Sequence, residues 1–211
     1  MKVLAEIPPR SSADDPPGRL RRGELDELGR VLEQLGSPRS LLVTGSGPGR
    51  RALALGLATT AAAAGRRTAL LECDLAEPTL ADRLGLSSAP GLTEYLAGTA
   101  EIGRLLKPVV LAGPGSAGAG EPLVCVVAGR PSAEGPRLFA GDEFATALTG
   151  LTQAYELVVL DGPPVDDWPS LTLLQPQVAA AIACLRPEEA ERRLSIPVRG
   201  VVIEGERGAS V

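Results

Sequence analysis

Histidine is absent from the 211-residue chain. Its absence excludes imidazole acid–base catalysis and the catalytic triads that depend on it. Lysine is almost absent: Lys2 and Lys107 stand against 19 arginines, a bias read as genome composition. Aromatic residues make up 2% of a chain that is 44% hydrophobic, so its core must be built from Leu, Val, Ala and Ile. The three cysteines (Cys73, Cys125 and Cys184) form no CxxC pair, and each falls in an apolar run. They read as small buried hydrophobes rather than zinc ligands or reactive thiols. No apolar run approaches the roughly 20 residues of a membrane span. The start, MKVLAEIPPR, lacks an apolar signal core, and the expected location is cytoplasmic. A net charge of −5 argues against nucleic acid as a partner held by bulk electrostatics.

The most informative stretch is Ser40 to Asp74, SLLVTGSGPGRRALALGLATTAAAAGRRTALLECD. Leu41, Leu42 and Val43 do not alternate with polar residues, the pattern of a strand covered on both faces. Gly45, Ser46, Gly47, Pro48 and Gly49 follow at once. A glycine-rich turn opening a helix points backbone N–H groups and the positive helix end toward an anion. Arg50 to Ala64 is alanine- and leucine-rich and free of proline, which predicts a helix. Thr68 to Leu71 is the next strand, with Glu72, Cys73 and Asp74 at its carboxyl end. A working phosphate-binding loop reads GxxxxGK followed by serine or threonine; the lysine bridges the outer phosphates and the hydroxyl holds magnesium. Arg50 stands at the lysine position here, followed by Arg51 and Ala52, so the hydroxyl is missing. An arginine fork does not replace a point-charge ammonium. The stretch is a modified nucleotide site or the shell of a lost one.

The rest of the chain supplies alternating helices and strands. Residues 8–18, PPRSSADDPPG, read as an extended arm, and Gly113 to Gly120 as a flexible loop. Leu25, Leu28, Val31, Leu32 and Leu35 mark one apolar face of a helix over 20–35. Short helices are expected at Pro78–Leu86, Leu92–Ala97 and Pro187–Leu194, and a longer one at Gly141–Tyr155. Strands are expected at Pro122–Ala128, Leu157–Leu160, Val178–Cys184 and Val198–Ile203. Such alternation implies a doubly wound, mostly parallel sheet in an α/β domain, which binds ligands at the carboxyl ends of its strands. Gly45–Arg51, Glu72–Asp74 and Asp161–Pro164 all fall at such ends.

Several of these stretches resemble the bacterial tyrosine kinases of capsule and exopolysaccharide synthesis, within the MinD/ParA class of P-loop ATPases. Gly49 to Leu75, GRRALALGLATTAAAAGRRTALLECDL, is similar to that family's GKSTxAxNLAxxxAxxGxRVLLIDxDL without a gap. Pro78 and GLTEYLAG (Gly91 to Gly98), VVLDGPP (Val158 to Pro164, the Walker B strand) and GVVIEG (Gly200 to Gly205) follow in the family's order. MKVLAEIPPR resembles the stretch that joins such kinases to a membrane-spanning polysaccharide co-polymerase. The resemblance implies a P-loop NTPase fold over 20–211 preceded by an arm over 1–19. It also implies ATP or ADP with magnesium as cofactors. It assigns Gly45, Ser46, Gly47, Pro48, Gly49, Arg50, Arg51, Ala52 and Glu204 to the nucleotide, Asp74 and Asp161 to the metal, and Asp74, Asp161 and Glu72 to vestigial catalytic places.

The departures from the family are as informative. The loop is about two residues shorter than GEGKST. Glu204 stands where the family has a base-contacting asparagine, and Ala76 where it has an arginine. The last tyrosine is Tyr155, and the tail GERGASV carries none of the family's C-terminal tyrosines. The resulting expectation is a degenerate relative with little or no catalysis, regulating exopolysaccharide biosynthesis by binding a partner. That partner is a polysaccharide co-polymerase or a related kinase, which would bring the chain to the inner face of the membrane. The alternatives are an active ATP-dependent tyrosine kinase or ATPase with an unorthodox loop, and a MinD/ParA-like positioning ATPase. The oligomerising ExxRxxR helix of the kinases matches Glu27, Arg30 and, at its third place, Glu33, a charge reversal. The same contact would bring like charges together. We expect a monomer or a different dimer; a closed ring in light scattering at micromolar protein would contradict this.

Overall fold

The computed structural model describes residues 2–7, 22–47, 49–110, 122–189, 194 and 196–205. The proline-rich segment 8–18, Pro48, the glycine-rich loop 113–120 and the tail 206–211 lie outside the described residues, as does most of 190–195.

The non-alternating runs become the central strands of one sheet because helices cover both of its faces. In chain order the strands are β1 (Val3–Ile7), β2 (Ser40–Gly45), β3 (Thr68–Glu72), β4 (Lys107–Val109), β5 (Leu123–Val126), β6 (Leu157–Pro164), β7 (Ala180–Leu185) and β8 (Gly200–Glu204). Their order across the sheet is β1-β8-β7-β2-β6-β3-β5-β4. Every pairing is parallel except β4 with β5. The helices are α1 (Arg22–Gln34), α2 (Gly49–Ala63), α3 (Leu80–Leu84), α4 (Leu92–Leu96), α5 (Gly135–Phe139), α6 (Asp142–Ala154) and α7 (Trp168–Leu174). A single 3-10 turn, Pro187–Glu189, is what the described residues show of the helix expected at Pro187–Leu194.

Successive side chains along each strand feed opposite layers. Leu41, Val43, Leu70, Leu157 and Val159 pack with Leu28, Val31, Leu53 and Leu57 of α1 and α2. Leu42, Leu71, Val158 and Leu160 pack with Phe139, Phe144, Leu148 and Leu171 of α5, α6 and α7. Helix α2 is buried along nearly its whole length, lying between the sheet and α1. Its alanines suit that place, since small side chains let a helix approach a sheet closely.

Val3–Ile7, read from sequence as part of an extended arm, is the edge strand β1. Leu4 and Ile7 are buried, and the strand pairs in parallel with β8, Ile7 opposite Glu204. Pro8 directly follows it, so the sequence shows too short a run to stand out from the arm. Strand β4 and helices α5 and α7 were also not expected. Each is a short piece of three to seven residues whose form is set by its neighbours. Helix α7 presents Trp168, the chain's one tryptophan, which is 59% exposed.

Phe139 and Phe144 meet edge to face, with ring centroids 5.1 Å apart and planes at 77°. In so aliphatic a core they are its two largest fully buried side chains. Phe144→Ala is expected to cost about 3–5 kcal/mol, the usual range for a buried phenylalanine, read as a lower denaturant midpoint by circular dichroism.

Candidate phosphate-loop site

Parallel register brings the site together. On β6, Asp161 lies opposite Val43 of β2 on one side and Glu72 of β3 on the other. The chain leaves β2 at Gly45 and enters α2 at Gly49, so loop, Glu72, Asp74 and Asp161 converge at one end of three adjacent strands. The loop is stitched to its neighbours by backbone bonds. Ser46 N donates to Cys184 O at 3.1 Å, and Val165 N donates to Gly45 O at 3.0 Å. Thr44 Oγ1 donates to Pro163 O at 2.8 Å, tying the ends of β2 and β6. Gly45 has φ 151°, and a Cβ there would run into the Cys184 carbonyl, so this position excludes any side chain.

Arg50 is the centre of the site. It is only 3% exposed, and its guanidinium folds back beneath the loop. Nε donates to Gly162 O at 3.0 Å and one terminal nitrogen lies 3.5 Å from Gly47 O. The other terminal nitrogen is ion-paired and hydrogen-bonded to Asp74 Oδ2. Arg51 reaches the same oxygen at 2.8 Å and also donates to Glu77 O at 2.8 Å. Asp74 Oδ1 accepts from Glu77 N at 3.2 Å. Asp74 is therefore held between two guanidiniums and a backbone amide.

Glu72 is fully buried and serves as a backbone hub. Oε1 accepts from Thr79 N at 2.6 Å and Leu80 N at 2.7 Å, and Oε2 accepts from Ala128 N at 2.9 Å. These bonds fasten the start of α3 and the end of β5 to β3, and they engage both carboxylate oxygens. Asp161 differs, since its Oδ1 is buried without a hydrogen-bond partner among the described residues. Burial pushes its carboxyl from an ordinary 3.8 up to about 7; Arg50 and Arg51 pull it down, while Glu72 and Asp74 add to the rise. Burial and the same three acids also raise the Cys73 thiol well above its ordinary value, which makes it a poor nucleophile.

Two further carboxylates approach the loop from the β7–β8 side. The Glu204 carboxylate lies against Gly49, so close that a Cβ on Gly49 would collide with it. Ser46 Oγ donates to Glu189 Oε2. Glu189 also accepts from Arg186 N at 3.2 Å and pairs with Arg186 Nε at 3.4 Å. Partial burial alone would raise the Glu189 carboxyl; the donors from Ser46 and Arg186 outweigh it and hold it below its ordinary value. Glu189 was not singled out from the sequence. The available signal was its place just past the end of β7, one more strand carboxyl end.

Of the two acids expected to hold magnesium, Asp74 is engaged by two guanidiniums, whereas Asp161 keeps an unpartnered Oδ1. A hard cation needs oxygen ligands with free lone pairs. Asp74 is already engaged by two cationic side chains, the Glu72 oxygens are taken by amides, and Arg51 and Ala52 offer no hydroxyl. Among the described residues no group of three or more His, Cys, Asp or Glu residues is placed to hold a metal.

In sequence the chain is 27% identical over 135 residues to tyrosine-protein kinase ptk of Acinetobacter johnsonii, 62% of this chain and 17% of that protein. It is 28% identical over 127 residues to tyrosine-protein kinase wzc of Salmonella typhimurium, 59% of this chain and 16% of that protein. In structure it superposes on the kinase domain of Escherichia coli tyrosine kinase ETK with a TM-score of 0.76 at 18% identity, over 99% of this chain and 92% of that one. The chimerical protein CapA2B2 gives 0.76 at 17% identity, over 96% and 93%. The Pyrococcus horikoshii septum site-determining protein MinD, complexed with Mg-ADP, gives 0.52 at 17% identity, over 78% and 80%. No family model matches the chain.

The fold is that of the P-loop NTPases, and the chain resembles bacterial tyrosine kinases. It spans about a sixth of the length of the curated kinases it matches. Within that fold, Gly45, Ser46, Gly47, Gly49, Arg50 and Arg51 form the loop and the first turn of α2, with Ala52 buried behind them. Pro48 lies outside the described residues. Glu204, Glu72, Asp74 and Asp161 all face this corner, brought there by β8, β3 and β6.

The raised Asp161 carboxyl sets a pH test. Its folded value of about 7 lies above the ordinary 3.8, so the folded state holds the proton more tightly than the unfolded chain. The stability this group contributes is full below about pH 4 and is lost as pH rises through about 7. Asp161→Asn should flatten that slope. At pH 8 we expect the variant to be the more stable by roughly 2–4 kcal/mol, converging on wild type near pH 4. A variant less stable than wild type at pH 8 would contradict a desolvated carboxylate.

Proposed function

We propose that this chain is a degenerate relative of the bacterial tyrosine kinases that performs little or no phosphoryl transfer and acts by binding a partner in exopolysaccharide biosynthesis. The observation carrying this reading is the guanidinium of Arg50. Phosphoryl transfer relies on a loop cation at the outer phosphates, a metal and a positioned acceptor, acting together. At the place of the loop cation, Arg50 is turned inward and consumed by Asp74, the Gly162 carbonyl and the Gly47 carbonyl. The same pairing occupies an acid on which a metal would depend. The only tyrosines are Tyr95 and Tyr155, both partly buried against the core, which offers little for autophosphorylation.

The partner class follows from the resemblance. A polysaccharide co-polymerase of the membrane, or a kinase associated with one, is the natural counterpart of a domain shaped like these kinases. No helix among the described residues is long and apolar enough to cross a membrane. Attachment to the inner face would then come through that partner.

One observation favours the second reading, an ATP-dependent tyrosine kinase or ATPase with an unorthodox loop. Asp161 is buried, has an unpartnered oxygen and has a carboxyl shifted to about 7, the kind of tuning found at reaction centres. A single assay separates the two. We expect hydrolysis of magnesium-ATP by the purified chain to stay at background, and calorimetry with ATP or ADP to give no binding that magnesium strengthens. Turnover of about 1 per second, within the ordinary enzyme range, would overturn the non-catalytic reading.

A further inference from the structure

Two carboxylates of the chain lie against the glycine-rich loop. Helix α2 is 15 residues long, and its first amides and positive end face the loop. Against Gly49, its first residue, lies the carboxylate of Glu204. Against the loop hydroxyl of Ser46 lies the carboxylate of Glu189. Neither contact comes from a neighbouring residue in sequence. Glu189 follows β7 and Glu204 ends β8, so both are delivered by the half of the sheet beyond β2.

These positions are fixed by backbone structure. Glu204 is the last residue of β8 and pairs with Ile7 of β1; the next residue, Gly205, donates its N–H to Ile7 O at 3.0 Å. Glu189 is held by the turn Pro187–Glu189 and by Arg186, through both its backbone N–H and its guanidinium. A carboxylate offers oxygens to amide and hydroxyl donors much as a phosphate does. An incoming polyphosphate would have to displace two carboxylates, or share the cradle with them against like-charge repulsion.

We propose that Glu204 and Glu189 are built-in occupants of the phosphate cradle, a latch that holds the loop in its folded form without nucleotide and keeps polyphosphates out. This deepens the non-catalytic reading and rests on it. The latch makes the glycine-rich loop a closed structural corner.

The test uses inorganic pyrophosphate, without magnesium, as the probe of the cradle in calorimetry on the full chain. Glu189→Gln/Glu204→Gln keeps the side-chain shapes and removes both charges; circular dichroism establishes that it is folded, and each single variant is measured alongside. We expect the double variant to bind pyrophosphate roughly tenfold or more tightly than wild type, with smaller gains for the singles. Glu188→Gln removes the same charge next door, from an exposed residue paired with Arg186, and is expected to match wild type. Equal affinity in the double variant and wild type, including no binding by either, would overturn the latch. An equal gain in Glu188→Gln would overturn it too, since net charge alone would then explain the effect. If the double variant does not fold, the two singles carry the same comparison. Failure here leaves the non-catalytic reading intact, because that reading is judged separately by ATP turnover of the wild-type protein.

Discussion

The site depends on one interaction, the buried pairing of Arg50 with Asp74. A guanidinium removed from water is costly unless its donors are matched, and here an acid and two carbonyls of the loop and β6 match them. The consequences spread outward. Asp74, shared with Arg51, is committed to charge compensation. The Gly162 carbonyl is drawn to the helix, which fixes the end of β6. With these groups engaged, Asp74 and Glu72 are committed to donors of the chain itself. A lysine in the same place would carry three donors on a flexible stem and no planar fork, and it would not bridge Asp74 and Gly162 in one plane.

Glu72 does structural work at the end of β3. A carboxylate at the end of β3 that accepts three backbone amides organises the turn into α3 and the exit of β5. Its bonds explain why the chain keeps an acid there. Asp161 has no such duty for one of its oxygens, and burial pushes its carboxyl up. Three acids within one corner thus divide into a hub, a counter-ion and an isolated carboxyl, and the division is set by which donors register brings to each.

Much of this was legible in the amino-acid order. The strands flanking the loop and α2 announced themselves because doubly covered strands are uniformly apolar and the glycines and alanines leave few alternatives. Convergence of the loop with Glu72, Asp74 and Asp161 followed from the rule that parallel strands bring their carboxyl ends to one side of the sheet. What was not legible depends on contacts across the sheet. That Arg50 turns inward rather than outward is decided by Asp74 and Gly162, 24 and 112 residues away. The arrival of Glu189 at Ser46 spans 143 residues, and no local pattern encodes it. Strand β1 escaped notice for a different reason: five residues before a proline carry too little periodicity, and only the partner strand β8 makes them a strand.

The exposure of Trp168 has a practical corollary. With the sole indole already in water, its emission has little further to shift when the chain unfolds, so intrinsic fluorescence is a weak reporter of the core. The same residue opens the helix that follows the Asp161 strand, with Asp167 capping that helix through Ser170 N. A change in the Trp168 emission would therefore report an event at the start of α7 rather than unfolding of the core.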